Sequence, residues 1–236
     1  MGEGNLKDFY FGKTILVTGA TGFIGRLLVA KLLRLGNVKE ILICSRPKKG
    51  KSNEERLNSI FNGFLFENVA KFDKTFKSKL RIMNCDLELK DLGISSDDKK
   101  YIKSNVEIII HAAATVRFDE LLKKAIQINV YGTKSFLDLA LETENLQSFV
   151  HISTAFTQCP LEHIKETFYE PPLEYHTALC MVESLSDDQI DSLTPKLIAP
   201  WPNTYTFTKA IAEDLVRQYS NQLPIGIIRP SIGKHT

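Results

Sequence analysis

The chain has 236 residues, of which 43% are hydrophobic and 25% are charged, and its net charge is +2. This composition is typical of a globular protein, and the length suits one large α/β domain better than two full domains. The small net charge gives no support for a nucleic-acid partner. No apolar run approaches the roughly 18 residues of a membrane span. The N-terminus lacks the apolar stretch of a signal peptide. We therefore expect a soluble, cytosolic chain.

Short apolar runs alternate with longer helical patterns along the sequence. The runs cover residues 13–19, 40–45, 81–85, 106–112, 148–153 and 224–230. Continuous apolar runs of this length predict strands that are buried on both faces. Strands that alternate with helices predict βαβ units. The predicted fold class is therefore α/β, with a doubly wound, mostly parallel sheet of the Rossmann type. We expect an N-terminal extension over residues 1–12 and one domain over residues 13–236.

Three helices are predicted from apolar periodicity, over residues 23–35, 121–141 and 205–219, the first of them stopped by Gly36. A charged turn at residues 47–57 leads into another helix, and residues 160–202 look like an insertion on the ligand side. The four cysteines form no CxxC or Cys/His ligand spacing, which argues against a metal site. Three of them lie inside or beside apolar runs, which favours reduced core thiols. The four are Cys44, Cys85, Cys159 and Cys180.

A glycine-rich segment directly follows the first predicted strand and opens the first predicted helix. Its spacing is GxxGxxG, which permits a tight turn, a close approach of the backbone to a pyrophosphate, and close packing of helix on strand. The helix N-terminus then offers N–H groups and positive potential to phosphates. The alternative is a turn that binds nothing, but the strand before and the helix after favour a dinucleotide site. The predicted cofactor contacts here are Thr18, Gly19, Thr21, Gly22, Phe23, Ile24 and Gly25.

Arg46 closes the second predicted strand, where an NAD site usually has an acidic residue that accepts from the ribose 2′-hydroxyl. A carboxylate would repel a 2′-phosphate, whereas a guanidinium can bind it with two hydrogen bonds. Arg46 therefore predicts NADPH as the cofactor. Lys48, Lys49 and Lys51 follow it, and some of them are better explained as a solvated basic loop.

Two further strand ends carry predicted cofactor contacts. Asp86 is placed to accept a hydrogen bond from an adenine amino group, with Leu87 beside it, and a helix N-cap is an alternative role for Asp86. The small side chains of Ala112, Ala113 and Ala114 end the fourth predicted strand and leave room for ribose and pyrophosphate. His111 before them is better explained as a core histidine with its hydrogen bonds satisfied than as a catalyst.

Tyr205 and Lys209 lie four residues apart at the start of a predicted helix, so they share a face. Reduction of a carbonyl requires a proton donor, and we expect Lys209 to lower the pKa of Tyr205 for this role. An exposed helix pair is the alternative. Ser153 and Thr154 both offer a hydroxyl at the end of the fifth predicted strand. Asn129 is a candidate for holding the backbone or a water that positions Lys209, with an outward-facing mid-helix side chain as the alternative.

These segments together resemble the extended short-chain dehydrogenases/reductases: TGATGFIG, CDLE, HAAATVRFDE, INVYGTK, HISTAF, YTFTK and IIRPSI. The chain is more closely similar to the alcohol-forming fatty acyl-CoA reductases, because the RPKKGK turn and the NTYTFTK context are more selective. The similarity covers about residues 13–232. It implies catalytic roles for Thr154, Tyr205, Lys209 and Asn129, with Thr154 rather than Ser153 as the active hydroxyl. It also implies cofactor contacts at Tyr205, Lys209, Pro230 and Ile232.

The resemblance implies that NADPH reduces a long-chain fatty acyl-CoA to an aldehyde with release of CoA, and then to a primary alcohol. Tyr205 and Thr154 would stabilise or protonate the oxygen on which charge develops. Family members continue past RPSI with a substrate lobe and a helical domain, so we expect a truncated chain whose membrane contact lies in the missing part. Full-length relatives are expected at the cytosolic face of peroxisomal or endoplasmic reticulum membranes. Two alternatives stay open: an epimerase, dehydratase or steroid-type dehydrogenase, and a catalytically inactive cofactor-binding module.

Overall fold

A computed structural model describes residues 6–35, 37–46 and 50–233. The chain divides into two compact units. The first unit comprises the described residues up to Asp86 together with Gly93–Ala113 and Glu142–Ser148. The second unit comprises Leu87–Leu92, Ala114–Leu141 and the described residues from Phe149 onward. None of the helices within these described ranges is long and apolar enough to cross a membrane.

The first unit contains four parallel strands, in the order β3-β2-β1-β4. They are β1 (Thr14–Thr18), β2 (Glu40–Ser45), β3 (Leu80–Asn84) and β4 (Ile108–His111). Every residue of β1 and β4 is buried, as a continuous apolar run predicts for a central strand. The chain runs outward from β1 to β3 and then returns to place β4 on the other side of β1. This reversal of strand order creates a crevice at the carboxyl ends of β1 and β4.

Five helices accompany these strands: α1 (Leu6–Tyr10), α2 (Phe23–Leu35), α3 (Asn53–Ile60), α4 (Phe64–Ala70) and α5 (Ser96–Asn105). A short 3₁₀ segment lies at Phe76–Lys79. The predicted bounds of α2 are confirmed, whereas its predicted stop at Gly36 lies outside the described residues. The predicted helix after the charged turn is α3, which begins with a reciprocal capping box between Ser52 and Glu55.

The second unit contains the parallel pair β5 (Ser148–Ile152) and β6 (Ile225–Ile228), which are in register from Phe149 onward. The prediction of burial on both faces is wrong for β6, because alternate residues of this strand are exposed. The helices of this unit are α6 (Leu122–Ile126), α7 (Gly132–Leu141), α8 (Tyr175–Ser184), α9 (Asp187–Leu197) and α10 (Thr204–Gln218). The predicted insertion over residues 160–202 therefore contains two helices.

The long helix predicted over residues 121–141 is interrupted by a π-helical segment at Gln127–Tyr131, which joins α6 to α7. Such segments are rare and widen the helix by one residue per turn. The predicted bounds of the strands and of α10 otherwise differ from the structure by one or two residues, and the α/β fold class with parallel strands is confirmed. Of the four cysteines, only Cys44 and Cys85 are core thiols, because Cys159 is partly exposed and Cys180 is exposed.

Candidate active site

The end of β1 is joined to the end of β4 through the hydroxyl of Thr18. Its Oγ1 accepts hydrogen bonds from the backbone N–H groups of Ala112 and Ala113, at 3.1 and 3.0 Å. The same oxygen lies 2.9 Å from His111 Nδ1. Because its lone pairs are used by two N–H donors, the hydroxyl proton is directed to Nδ1. His111 is fully buried, and the expectation of a satisfied core histidine is confirmed.

The glycines after β1 leave no room for side chains. Gly19 has a φ of +68°, and a Cβ added to it would lie 2.7 Å from backbone atoms of Ala112 and Ala113. A Cβ on Gly25 would lie 2.1 Å from the Gly19 carbonyl oxygen. The backbone of this loop thus lies against the neighbouring strand end and the first turn of α2. Such a cradle, followed by a helix N-terminus with no acidic residue in its first turn, fits the phosphates of a dinucleotide.

The other predicted residues of this loop lie around that cradle. Thr21, Gly22 and Ile24 are exposed and Phe23 is half-buried, so their surfaces are available to a ligand. Gly22 donates its backbone N–H to the Gly19 carbonyl at 3.0 Å and closes the turn. Ala112 and Ala113 are half-buried on the facing strand end. The predicted contacts from this part of the first unit are therefore brought together.

Arg46 follows β2 and is exposed. Its carbonyl oxygen accepts a hydrogen bond from Arg56 Nη2 at 2.6 Å, and Arg56 Nη1 donates to Asn84 Oδ1 at 3.0 Å. Arg56 is buried and comes from α3, and the sequence analysis did not single it out. The sequence offers one signal for the role of Arg56: the residue lies one turn into a capped helix that follows a basic loop. The guanidinium of Arg56 fixes the backbone that carries Arg46.

Asp86 is half-buried just after β3. No helix begins at the residue after it in the described structure, so the alternative role as a helix N-cap is wrong. Leu87 belongs to the second unit, where it packs against Gly132 so closely that a Cβ there would lie 2.6 Å from Leu87 Cδ2. Ala114 also lies in the second unit and is half-buried.

Tyr205 lies in the first turn of α10, which begins after the N-cap Asn203. The Asn203 side chain accepts from the Thr206 N–H at 2.9 Å and fixes where the helix starts. Tyr205 is half-buried, its ring stacks on Phe118 with centroids 5.9 Å apart, and the Thr154 side chain lies near enough to its hydroxyl to lower its pKa. Phe118 is a site residue that the sequence analysis missed.

Burial raises the pKa of Tyr205 above its usual value, and the Thr154 side chain offsets this shift only in part. The expected net lowering of the Tyr205 pKa is therefore wrong for this structure. The physical reason is that burial dominates, and that Lys209 is itself buried and carries only part of its charge at neutral pH. The alternative of an exposed Tyr/Lys pair is wrong as well.

Lys209 is 2% exposed and reaches strand β5. Its Nζ donates to the Ile152 carbonyl at 2.8 Å and lies 2.9 Å from His151 Nε2. Burial lowers the pKa of Lys209 to about 7, and the carboxylate of Glu213 opposes that shift. Glu213 is buried one turn farther along α10, where Arg229 binds it at 2.9 and 2.7 Å. His151, Glu213 and Arg229 were missed, although the spacing from Lys209 to Glu213 places these two on one helix face.

The two candidate hydroxyls at the end of β5 have different surroundings. Thr154 is buried, its Oγ1 accepts from the Phe156 N–H at 3.3 Å, and it lies near the Tyr205 hydroxyl. Ser153 Oγ is also buried but has no hydrogen-bond partner among the described residues. Thr154 is therefore the hydroxyl that the structure brings to the phenol.

Asn129 lies in the π-helical segment and is 1% exposed, so the alternative of an outward-facing side chain is wrong. Its Oδ1 accepts from the Thr115 N–H at 2.9 Å, and its Nδ2 donates to the Thr115 carbonyl at 3.2 Å and to Thr208 Oγ1 at 3.0 Å. Asn129 thus holds the backbone at Thr115, and its side-chain bonds reach α10 at Thr208 rather than at Lys209. Pro230 and Ile232 follow β6, half-buried and exposed respectively.

The burial of Lys209 predicts a pH-dependent stability. Between its folded pKa of about 7 and its ordinary value of 10.5, only the unfolded chain binds this proton. The free energy of unfolding therefore rises with pH in this window, by about 1.4 kcal/mol per pH unit for a full proton. We expect the free energy of unfolding of wild type, relative to that of Lys209→Met, to rise by roughly 2 to 3 kcal/mol from pH 7 to pH 9. Urea unfolding of both proteins measures this, and a difference independent of pH would contradict the burial of the amine.

The comparisons with known proteins agree on one family. An NAD-binding family model described as "Male sterility protein" matches residues 17–233, which indicates a nicotinamide dinucleotide as the cofactor. Fatty acyl-CoA reductase 2 of Bos taurus is 46% identical over 228 residues, covering 96% of this chain and 44% of that protein. Fatty acyl-CoA reductase wat of Drosophila melanogaster is 43% identical over 230 residues, covering 98% of this chain and 44% of that protein.

Solved structures show the same fold. The terminal R domain of the myxalamid PKS-NRPS pathway has a TM-score of 0.65 at 26% identity, covering 93% of this chain and 48% of that one. The reductase domain of a nonribosomal peptide synthetase from Mycobacterium tuberculosis has a TM-score of 0.65 at 24% identity, with the same coverage. The chain spans less than half the length of these relatives. Together with the glycine cradle and the Tyr205–Thr154 pair, these matches show that the chain belongs to the Male sterility protein family, the family of the fatty acyl-CoA reductases.

Proposed function

We propose that this chain is the cofactor-binding part of an NADPH-dependent, alcohol-forming fatty acyl-CoA reductase. The observation that carries the proposal is the convergence of Tyr205, Thr154 and Lys209 where β5 ends and α10 begins. The names of the relatives support the substrate class, a fatty acyl-CoA, and we propose a long-chain one. The reaction consists of two reductions. The first converts the thioester to an aldehyde and releases CoA, and the second converts the aldehyde to a primary alcohol.

The chain's own residues manage the charge on the reacting oxygen. Bound NADPH supplies the hydride in each reduction. Because burial raises the pKa of Tyr205, its phenol stays protonated at neutral pH and is a hydrogen-bond donor to an oxygen on which negative charge develops. Thr154 lies near the same phenol and would add a second hydroxyl at that point. In the second reduction the phenol gives up its proton to the new alkoxide, and the ammonium form of Lys209 stabilises the phenolate.

The glycine cradle is proposed to hold the phosphates of the cofactor, and Arg46 its 2′-phosphate. We expect Arg46→Ala to weaken NADPH binding by 10-fold or more, because a charge-assisted bidentate contact contributes about 1.5 to 3 kcal/mol. NADH binding should change little, since this dinucleotide has no phosphate at that position. Fluorescence titration with both dinucleotides measures the effect, and Lys51→Ala serves as the control for the exposed basic loop. Equal NADPH affinities in wild type and Arg46→Ala would contradict the assignment.

The experiment that tests the function is oxidation of NADPH in the presence of palmitoyl-CoA. It is run on this chain and on a version extended to the length of the relatives, with hexadecanol and free thiol measured as products. Two molecules of NADPH per alcohol and one thiol per alcohol are expected. Binding of NADPH without product in either version supports instead a module that binds cofactor only. Turnover of a nucleotide sugar or a steroid, but not of the thioester, would favour the related dehydrogenases.

A further inference from the structure

The amine of Lys209 is held on β5 by two contacts, and one of them is with a side chain. The Ile152 carbonyl lies 2.8 Å from Nζ, and His151 Nε2 lies 2.9 Å from it. His151 is 0% exposed and Lys209 is 2% exposed, so water does not replace either contact. A buried ammonium without acceptors is costly, because desolvation is not compensated. The surroundings of Lys209 are therefore set by the histidine on the neighbouring strand.

The geometry restricts where the protons lie. An ammonium group has three donors and no acceptor, so it can bind Nε2 only if that nitrogen presents a lone pair. His151 is then neutral and carries its proton on Nδ1. A cationic imidazole would place two positive charges 2.9 Å apart in a buried region. When Lys209 is charged, the pair therefore holds one positive charge, and that charge lies on the lysine.

Two other titratable groups lie one turn from Lys209 on α10. Glu213 lies one turn beyond Lys209 on α10 and is bound by Arg229, which follows β6. Tyr205 lies one turn before Lys209 on the same helix. Glu213 raises the pKa of Lys209, but its charge is shared with Arg229, and the net value of about 7 leaves the ammonium only partly populated near neutral pH. An acceptor that binds the ammonium more strongly than the neutral amine raises the pKa of Lys209 and so increases the fraction of charged lysine.

We propose that His151 is a positioning residue for Lys209, whose neutral imidazole fixes Nζ and favours the charged lysine one turn from Tyr205. This inference rests on the proposed function for its consequence in catalysis, because a charged Lys209 is what stabilises the phenolate of Tyr205. It does not rest on that function for its test. The protonation state of Lys209 is measured on this chain alone.

The test compares His151→Leu, which removes the acceptor, with His151→Gln, whose amide oxygen reaches the position of Nε2. Protein labelled with ¹³C in lysine is titrated by NMR, and the Lys209 Cε signal is assigned by its loss in Lys209→Met. We expect a midpoint near 7 in wild type. It should fall by about one pH unit or more in His151→Leu and stay near the wild-type value in His151→Gln. His163→Gln, at an exposed histidine, is the matched control and should leave the midpoint unchanged.

A second measurement keeps the proposal testable if His151→Leu does not fold, as judged by far-ultraviolet circular dichroism. Long-range ¹H–¹⁵N spectra of wild type report the tautomer of each imidazole. His151 should show the Nδ1–H tautomer and remain neutral from pH 5 to pH 8. A cationic His151 in this range, or an unchanged Lys209 midpoint in a folded His151→Leu, overturns the proposal.

If a longer form turns over acyl-CoA, His151→Leu should lower kcat at pH 7.5 by roughly 5- to 10-fold and shift the alkaline limb of the kcat profile to lower pH. His151→Gln should restore most of this rate. Absence of turnover in every form would count against the proposed function and leave the NMR result standing. A normal kcat profile in His151→Leu would count against the role of His151 while the proposed function stands.

Discussion

Tyr205→Phe is expected to abolish reduction of acyl-CoA while leaving NADPH binding nearly intact. The change removes one oxygen, which lies near Thr154 and which we propose donates to the reacting oxygen. Loss of a general acid lowers rates by about 10²- to 10⁴-fold. The ring of Phe would still stack on Phe118, so the packing at the start of α10 is retained. Steady-state kinetics and fluorescence titration of NADPH, on the form of the protein that turns over, measure the two effects separately.

Tyr219→Phe is the matched control for this prediction. Its hydroxyl donates to Asp138 Oδ1 at 2.6 Å, at the other end of the same helix, and takes no part in the Tyr205 cluster. It should cost about 1 to 3 kcal/mol of stability without a comparable loss of rate. Full activity in Tyr205→Phe would show that another group supplies the proton.

Gly25→Ala is expected to remove cofactor binding and to destabilise the chain by about 3 kcal/mol or more. In an unconstrained helix interior, alanine is favoured over glycine by about 1 kcal/mol, so the direction of the effect depends on the space available. Here the new Cβ would lie 2.1 Å from the Gly19 carbonyl oxygen and 2.6 Å from Ala20 Cα. Both atoms are backbone atoms of the phosphate-binding turn, and neither can move without reshaping it.

Urea unfolding and NADPH titration of Gly25→Ala check this expectation. Gly226→Ala is the control, because a Cβ there meets no atom within 4 Å. Its stability should stay within about 1 kcal/mol of wild type. If Gly25→Ala had wild-type stability and affinity, the tight packing of α2 on the glycine turn would be wrong.

The sequence predicted the parts of the fold that depend on continuous apolar runs and on glycine. Strands β1 and β2 and helix α2 have cores of buried aliphatic residues, so pattern and packing agree. Helix α5 was not predicted, because it buries only Ile102 and is otherwise polar. This helix begins at a local contact, in which the Ser95 side chain accepts a hydrogen bond from the Asp98 N–H and caps the helix. The alternating exposure of β6 depends on what covers each face, which a run of apolar letters does not specify.

Some residues of the candidate site could likewise be predicted from the sequence, and others could not. Residue types and spacing identified Tyr205, Lys209 and Thr154, because their chemistry is local to one strand end and one helix turn. The pKa direction of Tyr205 was predicted wrongly, since it depends on burial by residues far apart in sequence. For the same reason His151 was missed: its role arises from a contact with Lys209 across 58 positions of sequence.

The burial of helix α10 bears on how activity would be lost on heating or in denaturant. From Thr204 to Val216, Tyr205 is the one residue that is not buried. Amide groups in so enclosed a helix exchange with solvent only when large parts of the fold open. The phenol is thus carried on a scaffold that does not fray ahead of the rest, and inactivation and global melting would follow the same curve.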